Sequence, residues 1–390
     1  MTPQAGGSAA PAAEPAAETT PFRFYDNRQK YLAFVNTCNE KSAVAHRAAT
    51  ELRHLRPAPP AVRLFDAGMG DATVLSRLMR STHAQWPTVP LLVVAKEISL
   101  EDVRLGLEKM PDRFLEHPAT VLVVTNMNYS EAPRLMPRDI QSAAALNWHE
   151  VRLRGQTSHA WAEQIEELSA TLHFGWQTRP SAKTGNPVYV RPSVLVLYRE
   201  DHEFLLDRVI PKPGHAYEFY DLIVASQPWR ARMSAEFKAQ RVLAPLVRSL
   251  APNGRLLAIQ SYGRDPGLEI IRRLWPDENP FQVDRHQLLA ALKAELGRDA
   301  SDYSLAAPPD DKAIFRYEMH TLPTEIGDRI GTSTLFAAWN AAIYVNQVED
   351  ERLDEVVTTG AYLEATQTVL RKHGGLWFND ETFVVSRRRK

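Results

Sequence analysis

The stretch VRLFDAGMGDA, residues 62 to 72, decides the fold. An apolar strand ends at Asp66, and small residues follow at alternate positions. Glycines in such a turn let a ligand approach the backbone closely and permit positive φ values. A dinucleotide-binding turn needs a small residue five positions after its first glycine, where this chain has Thr73. The spacing therefore disfavours a dinucleotide, and the open alternatives are another ligand or a glycine-rich turn without a ligand.

The composition is that of a globular protein without an excess of charge. The chain has 390 residues, of which 44% are hydrophobic and 24% charged, and its net charge is −1. This length suits two domains, or one domain with large insertions. A neutral chain has no general attraction to nucleic acid or to an anionic membrane. No apolar run reaches the roughly 18 residues that span a bilayer, and no secretory signal is recognisable, so we expect a cytoplasmic protein.

Cysteine and histidine usage predicts no metal site. Cys38 is the only cysteine, which excludes a disulfide framework and Cys-x-x-Cys ligand pairs. The 12 histidines do not form His-x-x-x-His pairs with nearby ligands. We therefore expect no bound metal.

Strand and helix patterns alternate, which predicts an α/β fold with a doubly wound, mostly parallel sheet. A further pattern near the end, Leu376–Phe378 and Thr382–Ser386 around an Asn379-Asp380 turn, predicts a terminal antiparallel hairpin. The five strands of the parallel part are predicted at residues 62–67, 91–95, 120–124, 221–225 and 255–260.

Two long stretches interrupt this alternation, and they define the predicted domain organisation. About 90 residues separate strands three and four, where a crossover needs a dozen or more. The predicted parts are a disordered tail (1–20), N-terminal helices with the first half of the sheet (21–130), an inserted α+β subdomain acting as a lid (131–218), the second half of the sheet (219–264), a helical region (265–365), and the terminal hairpin with a basic tail (366–390).

The pattern acid-x-Gly-x-Gly-x-Ala, with Asp66, Gly68 and Gly70, resembles the first motif of the class I S-adenosylmethionine (SAM)-dependent methyltransferases. This resemblance implies SAM as the cofactor, held at the glycine turn with Asp66 near its ammonium group. It further implies that Glu97, at the end of the second strand, accepts hydrogen bonds from the ribose hydroxyls. At the end of the third strand, the resemblance implies that Asn126 and Met127 contact the adenine.

The loop Ser226-Gln227-Pro228-Trp229 after the fourth strand resembles the (Asn/Asp/Ser)-Pro-Pro-aromatic loop of amino-group methyltransferases. Gln227 departs from this pattern, because the family has proline there. The resemblance implies that Ser226 and Gln227 orient a target nitrogen and that Trp229 stacks on the acceptor. The alternative is a strand stopped by proline, with an aromatic ring packed on the next helix.

We predict from these features a SAM-dependent methyltransferase that acts on a small molecule or a protein side chain, with nitrogen as the weakly preferred acceptor. Two alternatives remain open: a catalytically idle SAM-binding or scaffold protein, and a methyltransferase of nucleic acid. A nucleotide-dependent oxidoreductase is disfavoured by Thr73. Candidates for a general base are Asp71, His149 and Glu150, and the residues do not rank them.

Overall fold

The protein has an α/β fold built on one large, mostly parallel sheet. The computed structural model describes residues 28–181, 187–217, 219–321, 323–327 and 330–389, so the predicted tail (1–20) lies outside the described residues. The strands are β1 (Val62–Asp66), β2 (Leu91–Lys96), β3 (Thr120–Thr125), β4 (Asn147–Leu153), β5 (Thr178–Pro180), β6 (Pro187–Tyr189), β7 (Ser193–Arg199), β8 (Tyr220–Ser226), β9 (Leu250–Ser261), β10 (Tyr303–Ser304), β11 (Ile314–Glu318) and β12 (Trp377–Arg387).

The strand order is β10-β12-β9-β8-β1-β2-β3-β7-β4, and β11 also pairs with β12. From β3 to β9 this is the order 3-2-1-4-5 of a doubly wound sheet. The direction in which successive strands are added to the sheet reverses at β1, which pairs in parallel with both β2 and β8. Strands β2 and β3 are continuous apolar runs that are buried almost throughout, as expected for parallel strands covered on both faces. The topological switch point therefore lies between the ends of β1 and β8, at Asp66 and Ser226.

Helices cover both faces because successive side chains of each strand point to opposite sides. Phe65 belongs to one core and Leu64 to the other. The Phe65 core receives α10 (Ala235–Lys238), α11 (Ala244–Arg248) and α13 (Arg285–Leu296). The Leu64 core receives α2 (Glu40–Leu52), α3 (Thr73–Gln85), α4 (Leu100–Leu107), α5 (Pro111–Glu116), α7 (Ser158–Glu166) and α8 (Ser169–Gly175).

A third hydrophobic cluster joins the N-terminal helix to the last part of the chain. Phe34 lies with its ring centroid 4.9 Å from that of Tyr344, and Tyr317 stacks on Phe378 at 5.4 Å. This cluster fixes the N-terminal helix against the end of the sheet. The helices in this part of the molecule are α1 (Arg28–Thr37), α12 (Pro266–Leu274), α15 (Thr332–Val345), α16 (Leu353–Thr359) and α17 (Ala361–His373), and the remaining short helices are α6 (Ile140–Ala144), α9 (Glu203–Leu206) and α14 (Asp310–Ala313).

The predicted terminal hairpin is instead one continuous strand. Residues 377–387 form β12, whose Asp380–Ser386 part runs antiparallel to β9. Asn379 and Asp380 were predicted to turn, but both pair with β11, opposite Arg316 and Phe315. The Asn379 backbone N–H donates to the Asp265 carboxylate at 3.0 Å, so tertiary partners keep this turn-prone pair extended. The region 265–365, predicted to be helical, also contributes β10 and β11.

The inserted segment extends the main sheet at the β3 edge. Strand β7 is buried along its whole length and pairs antiparallel with β3, and β4 pairs in parallel with β7. Trp161 and Trp176 of this segment are packed into the core on the Leu64 side. The position of the segment as a lid over an acceptor pocket stays a prediction. In the part of the chain that the structure describes, no helix has the length and apolar character needed to cross a membrane.

Candidate functional site

The glycine turn lies at the topological switch point, and the space beside it is free of protein atoms at Gly68. The Gly68 N–H donates to the Asp66 carboxylate at 3.1 Å, which closes the turn after β1. Gly70 has φ +51°, a conformation that favours glycine. Gly68 is exposed, and a Cβ placed on it would meet only the Ser226 carbonyl oxygen, at 4.0 Å. Free space therefore lies beside Gly68, between the ends of β1 and β8.

The Glu97 carboxylate connects the glycine turn to the next helix. It is buried and accepts the Gly70 N–H at 2.9 Å on one oxygen, and the Ile98 and Ser99 N–H groups at 2.7 and 2.9 Å on the other. A carboxylate has about four acceptor positions, so three are occupied. One position remains on the oxygen that faces the glycine turn.

The site contains several carboxyl groups, and burial destabilises their ionised forms. Burial and the nearby charge of Glu97 together raise the pKa of Asp66 to about 6, against the opposing effects of the Gly68 hydrogen bond and the Lys41 charge. Burial and Glu97 likewise raise the pKa of Asp102, near the start of α4, to about 6. The Glu97 charge thus repels the charges of both Asp66 and Asp102, and the Lys41 ammonium only partly offsets this repulsion. A ligand with a positive centre would relieve this repulsion.

Tyr31 of helix α1 covers the turn from the other side. Its hydroxyl oxygen is buried, has no hydrogen-bond partner among the described residues, and would lie 3.2 Å from a Cβ on Gly70. The Lys41 ammonium lies 5.4 Å from its ring centroid. Burial raises the pKa of Tyr31 to about 12, so the hydroxyl is a neutral donor at this site. Sequence reasoning missed Tyr31, because nothing in its own segment points to the glycine turn.

Asn126 and Met127, predicted at the adenine, are used by the fold. The Asn126 amide donates to the carbonyl oxygens of Gly175 and Arg191, both at 3.0 Å, and accepts the Ser193 N–H at 2.8 Å. Met127 is fully buried in the Phe65 core. The Asn126 contacts fasten the inserted segment to the end of β3, and the place of both residues at the adenine stays a prediction.

Gln227 ties the loop after β8 to the last strand. Its N–H donates to the Ile259 carbonyl at 2.9 Å, its amide nitrogen donates to Asp380 at 3.1 Å, and its amide oxygen accepts the Ser261 N–H at 3.1 Å. Its φ is +49°, whereas proline is fixed near −65° and has no N–H. The departure from the family's proline is therefore required by this backbone.

Trp229 is largely buried in the fold. Only 7% of its surface is exposed, its ring belongs to the Phe65 core, and its indole N–H donates to the Gln260 side chain at 2.9 Å. Of the three residues predicted to act on the acceptor, Ser226 alone borders the glycine turn. The structure thus favours the packing alternative for the Trp229 ring.

A buried acid, Asp380, lies behind the Gln227 loop. Burial, together with the charges of Glu40 and Asp265, raises its pKa well above the ordinary range. Its second carboxylate oxygen has no hydrogen-bond partner in the described part of the chain. Sequence reasoning missed Asp380, because it was assigned to a turn. The residues that the structure describes contain no group of three or more His, Cys, Asp or Glu side chains placed to hold a metal ion.

Comparisons with solved structures give matches of low identity and low TM-score. No protein-family model and no curated protein matches this chain. Among solved structures, a geranyl diphosphate methyltransferase in complex with GPP and sinefungin has 13% identity and a TM-score of 0.32, with 89% of this chain and 78% of that chain covered. A putative sarcosine dimethylglycine methyltransferase from Galdieria sulphuraria has 9% identity and a TM-score of 0.34, over 89% and 85%. The [4+2]-cyclase SpnF has 11% identity and a TM-score of 0.30, over 90% and 80%. At these identities and TM-scores, the comparisons assign no activity to this chain.

Proposed function

We propose that the protein is a SAM-dependent methyltransferase that binds SAM at the turn from Asp66 to Ala72. The observation that carries this proposal is the free space beside Gly68, which lies at the switch point and is bordered by the Ser226 carbonyl at 4.0 Å. Ligands of doubly wound sheets bind at this place. SAM supplies a methyl group on a positively charged sulfonium.

The residues around the space fit a cationic cofactor with hydroxyl groups. Asp66 and Asp102 have pKa values raised to about 6 and become easier to ionise beside a positive charge. The remaining acceptor position of Glu97 suits one ribose hydroxyl rather than two. The buried Tyr31 hydroxyl, unpartnered among the described residues, is available as a donor. We therefore propose these four side chains, with Gly68 and Gly70, as the cofactor site.

For the acceptor we propose a small molecule or a protein side chain, with nitrogen preferred over oxygen. Ser226 borders the cofactor space and can orient the acceptor by its hydroxyl or its carbonyl oxygen. Most of the rate enhancement would come from holding acceptor and cofactor in line. Trp229 is assigned to the core, so the support for nitrogen rests on Ser226 and the loop backbone.

A matched pair of buried aspartates tests the cofactor site. Asp66→Asn removes a charge beside Gly68 but keeps an oxygen that accepts the Gly68 N–H. Asp221→Asn makes the same change at the opposite end of the sheet, where Asp221 accepts the Arg63 N–H at 2.8 Å and also has a pKa raised to about 6 by burial. Calorimetry with SAM should show about tenfold weaker binding for Asp66→Asn, about 1.4 kcal/mol, and no change for Asp221→Asn. Equal affinities in both variants, or no SAM binding by the native chain, would refute the assignment.

A catalytically idle SAM-binding protein is the second candidate. One observation favours it: Gln227 and Trp229, both predicted to contact the acceptor, are held by hydrogen bonds within the fold. Incubation with methyl-labelled SAM and fractionated cell extract separates the two candidates. Transfer of label to an acceptor supports the methyltransferase, whereas SAM binding without transfer to any fraction supports the idle protein.

A further inference from the structure

A concave basic pocket lies at the end of the sheet opposite the glycine turn. Its volume is about 600 Å³, within the range of small-molecule sites. Arg255 of β9 pairs with Ser386 of β12 at this end, and Ser261 pairs with Asp380 at the other. Six residues of strand separate the two ends, about 20 Å at 3.3 Å per residue. The lining residues are His54, Arg56, Asn253, Arg255, Ser386, Arg387, Arg388 and Arg389.

The pocket is assembled from three distant parts of the sequence and has no acidic lining among the described residues. Arg255 is paired with Glu51 at 2.7 Å, and Arg387 donates to the Leu250 carbonyl at 2.6 Å, so both are held in place. Arg388 and Arg389 are exposed. Because the whole chain has a net charge of −1, this concentration of arginines is not a general property of its surface.

His54 lies in the lining of the pocket beside these arginines. Desolvation, followed by the charge of Arg255, lowers the pKa of its imidazole, and Arg53 and Arg56 lower it further against the opposing effect of Glu51. A polyanion placed among these groups would reverse that effect and raise the pKa of His54. Guanidinium groups match phosphate oxygens in paired hydrogen bonds.

We propose that this pocket binds a small ligand with at least two phosphate groups, at a site separate from the glycine turn. The confinement of the arginines to one pocket of a chain with a net charge of −1 favours a compact polyphosphate over a nucleic-acid chain, which would need an extended basic surface. Arg388 and Arg389 supply exposed charge, and Arg255 and Arg387 supply charge that is held in place. This proposal does not depend on the proposed methyltransferase activity.

Titration with inorganic tripolyphosphate, without magnesium, tests the proposal on the full chain. Calorimetry should show binding by the native protein and about tenfold weaker binding by the double variant Arg388→Ala/Arg389→Ala. The matched control is Arg138→Ala/Arg154→Ala, which removes two exposed arginines of the inserted segment at the other edge of the sheet and should bind as the native protein does. In NMR titrations, saturating tripolyphosphate should raise the pKa of His54.

Three outcomes would overturn the proposal. The first is no binding of tripolyphosphate at millimolar concentration. The second is equal loss in the double variant and in its control, which would indicate general charge attraction. The third is tight binding of a single-stranded oligonucleotide by a protein that ignores tripolyphosphate, which would assign the pocket to nucleic acid. Thermal melting of each variant separates loss of binding from loss of fold.

Discussion

The two glycines of the turn respond differently to the same substitution, and this difference tests the cofactor site most directly. A methyl group on Gly68 would have no neighbour closer than the Ser226 carbonyl oxygen at 4.0 Å. Gly68 is not among the residues with positive φ, whereas Gly70 has φ +51°. Gly68→Ala should therefore leave the free protein intact and fill part of the proposed ligand space, while Gly70→Ala should strain the fold.

The expected magnitudes follow from these environments. Gly68→Ala should change the free energy of unfolding by less than about 1 kcal/mol, and the sign should be stabilising because the unfolded chain loses freedom. Gly70→Ala should cost about 1–2 kcal/mol for the left-handed backbone, and more from the 3.2 Å approach of its methyl group to the Tyr31 hydroxyl. For SAM, we expect Gly68→Ala to weaken binding by at least about tenfold, or 1.4 kcal/mol.

The assay is urea unfolding of both variants and the native chain, with and without SAM. A ligand at one hundred times its Kd should stabilise the native chain by about 2.7 kcal/mol, and this increment should fall by about 1.4 kcal/mol for Gly68→Ala. The result that would refute the reasoning is a Gly68→Ala protein with native stability and the full SAM increment. In that case the free space beside Gly68 is not the cofactor site.

Four further predictions concern the turn and the residues predicted to lie near it. SAM affinity should fall as the pH decreases through about 6, because Asp66 and Asp102 with raised pKa values become protonated there; Asp66→Asn should flatten the dependence, and an unchanged profile in calorimetry would contradict it. In the free protein, the same two groups bind protons more readily in the folded than in the unfolded chain between about pH 4 and 6. Their contribution to the free energy of unfolding should therefore be largest below this window and should decrease as the pH rises through it. Urea unfolding at several pH values measures this dependence. Asn126→Ala should lower the free energy of unfolding by about 3 kcal/mol, one for each lost hydrogen bond, and leave SAM affinity of the folded protein unchanged; a loss of affinity at native stability would restore Asn126 to the adenine site. Trp229→Phe should cost about 1–3 kcal/mol, because it leaves the buried Gln260 oxygen unpaired, with kcat/KM for the acceptor unaltered; lower kcat/KM at native stability would show that the ring contacts the acceptor.

The parallel part of the sheet could be predicted from the sequence because its signals are local. Residues 91–96 and 120–125 are apolar runs between turn residues, and such runs have one stable position, inside a sheet covered on both faces. The glycine turn could likewise be predicted from the sequence, since the positive φ at Gly70 is a property of that position itself.

The last strand shows where local signals fail. Asn379-Asp380 has the composition of a turn, yet Asn379 is held extended by Asp265 and by pairing with β11. Strand β11 is separated from this pair by about sixty residues, and its own pattern is too short to be recognised. Tyr31 is a similar case, because its place above Gly70 depends on the packing of α1 against α15. Contacts of this kind follow from the assembled fold, not from the segment.

Gln227 has a position that local sequence signals predict and contacts that depend on the assembled fold. Its position after a buried strand ending in Ser226 assigned it correctly to the loop at the switch point, and its identity departed from the family's proline. The bond from its N–H to Ile259 and its φ of +49° explain that departure, since proline can provide neither. Its side chain bonds to Asp380 and Ser261, and these hydrogen bonds hold the loop in place. Under the proposed function, Ser226 is therefore the residue of this loop that is placed to orient an acceptor, while Tyr31 belongs to the proposed cofactor site.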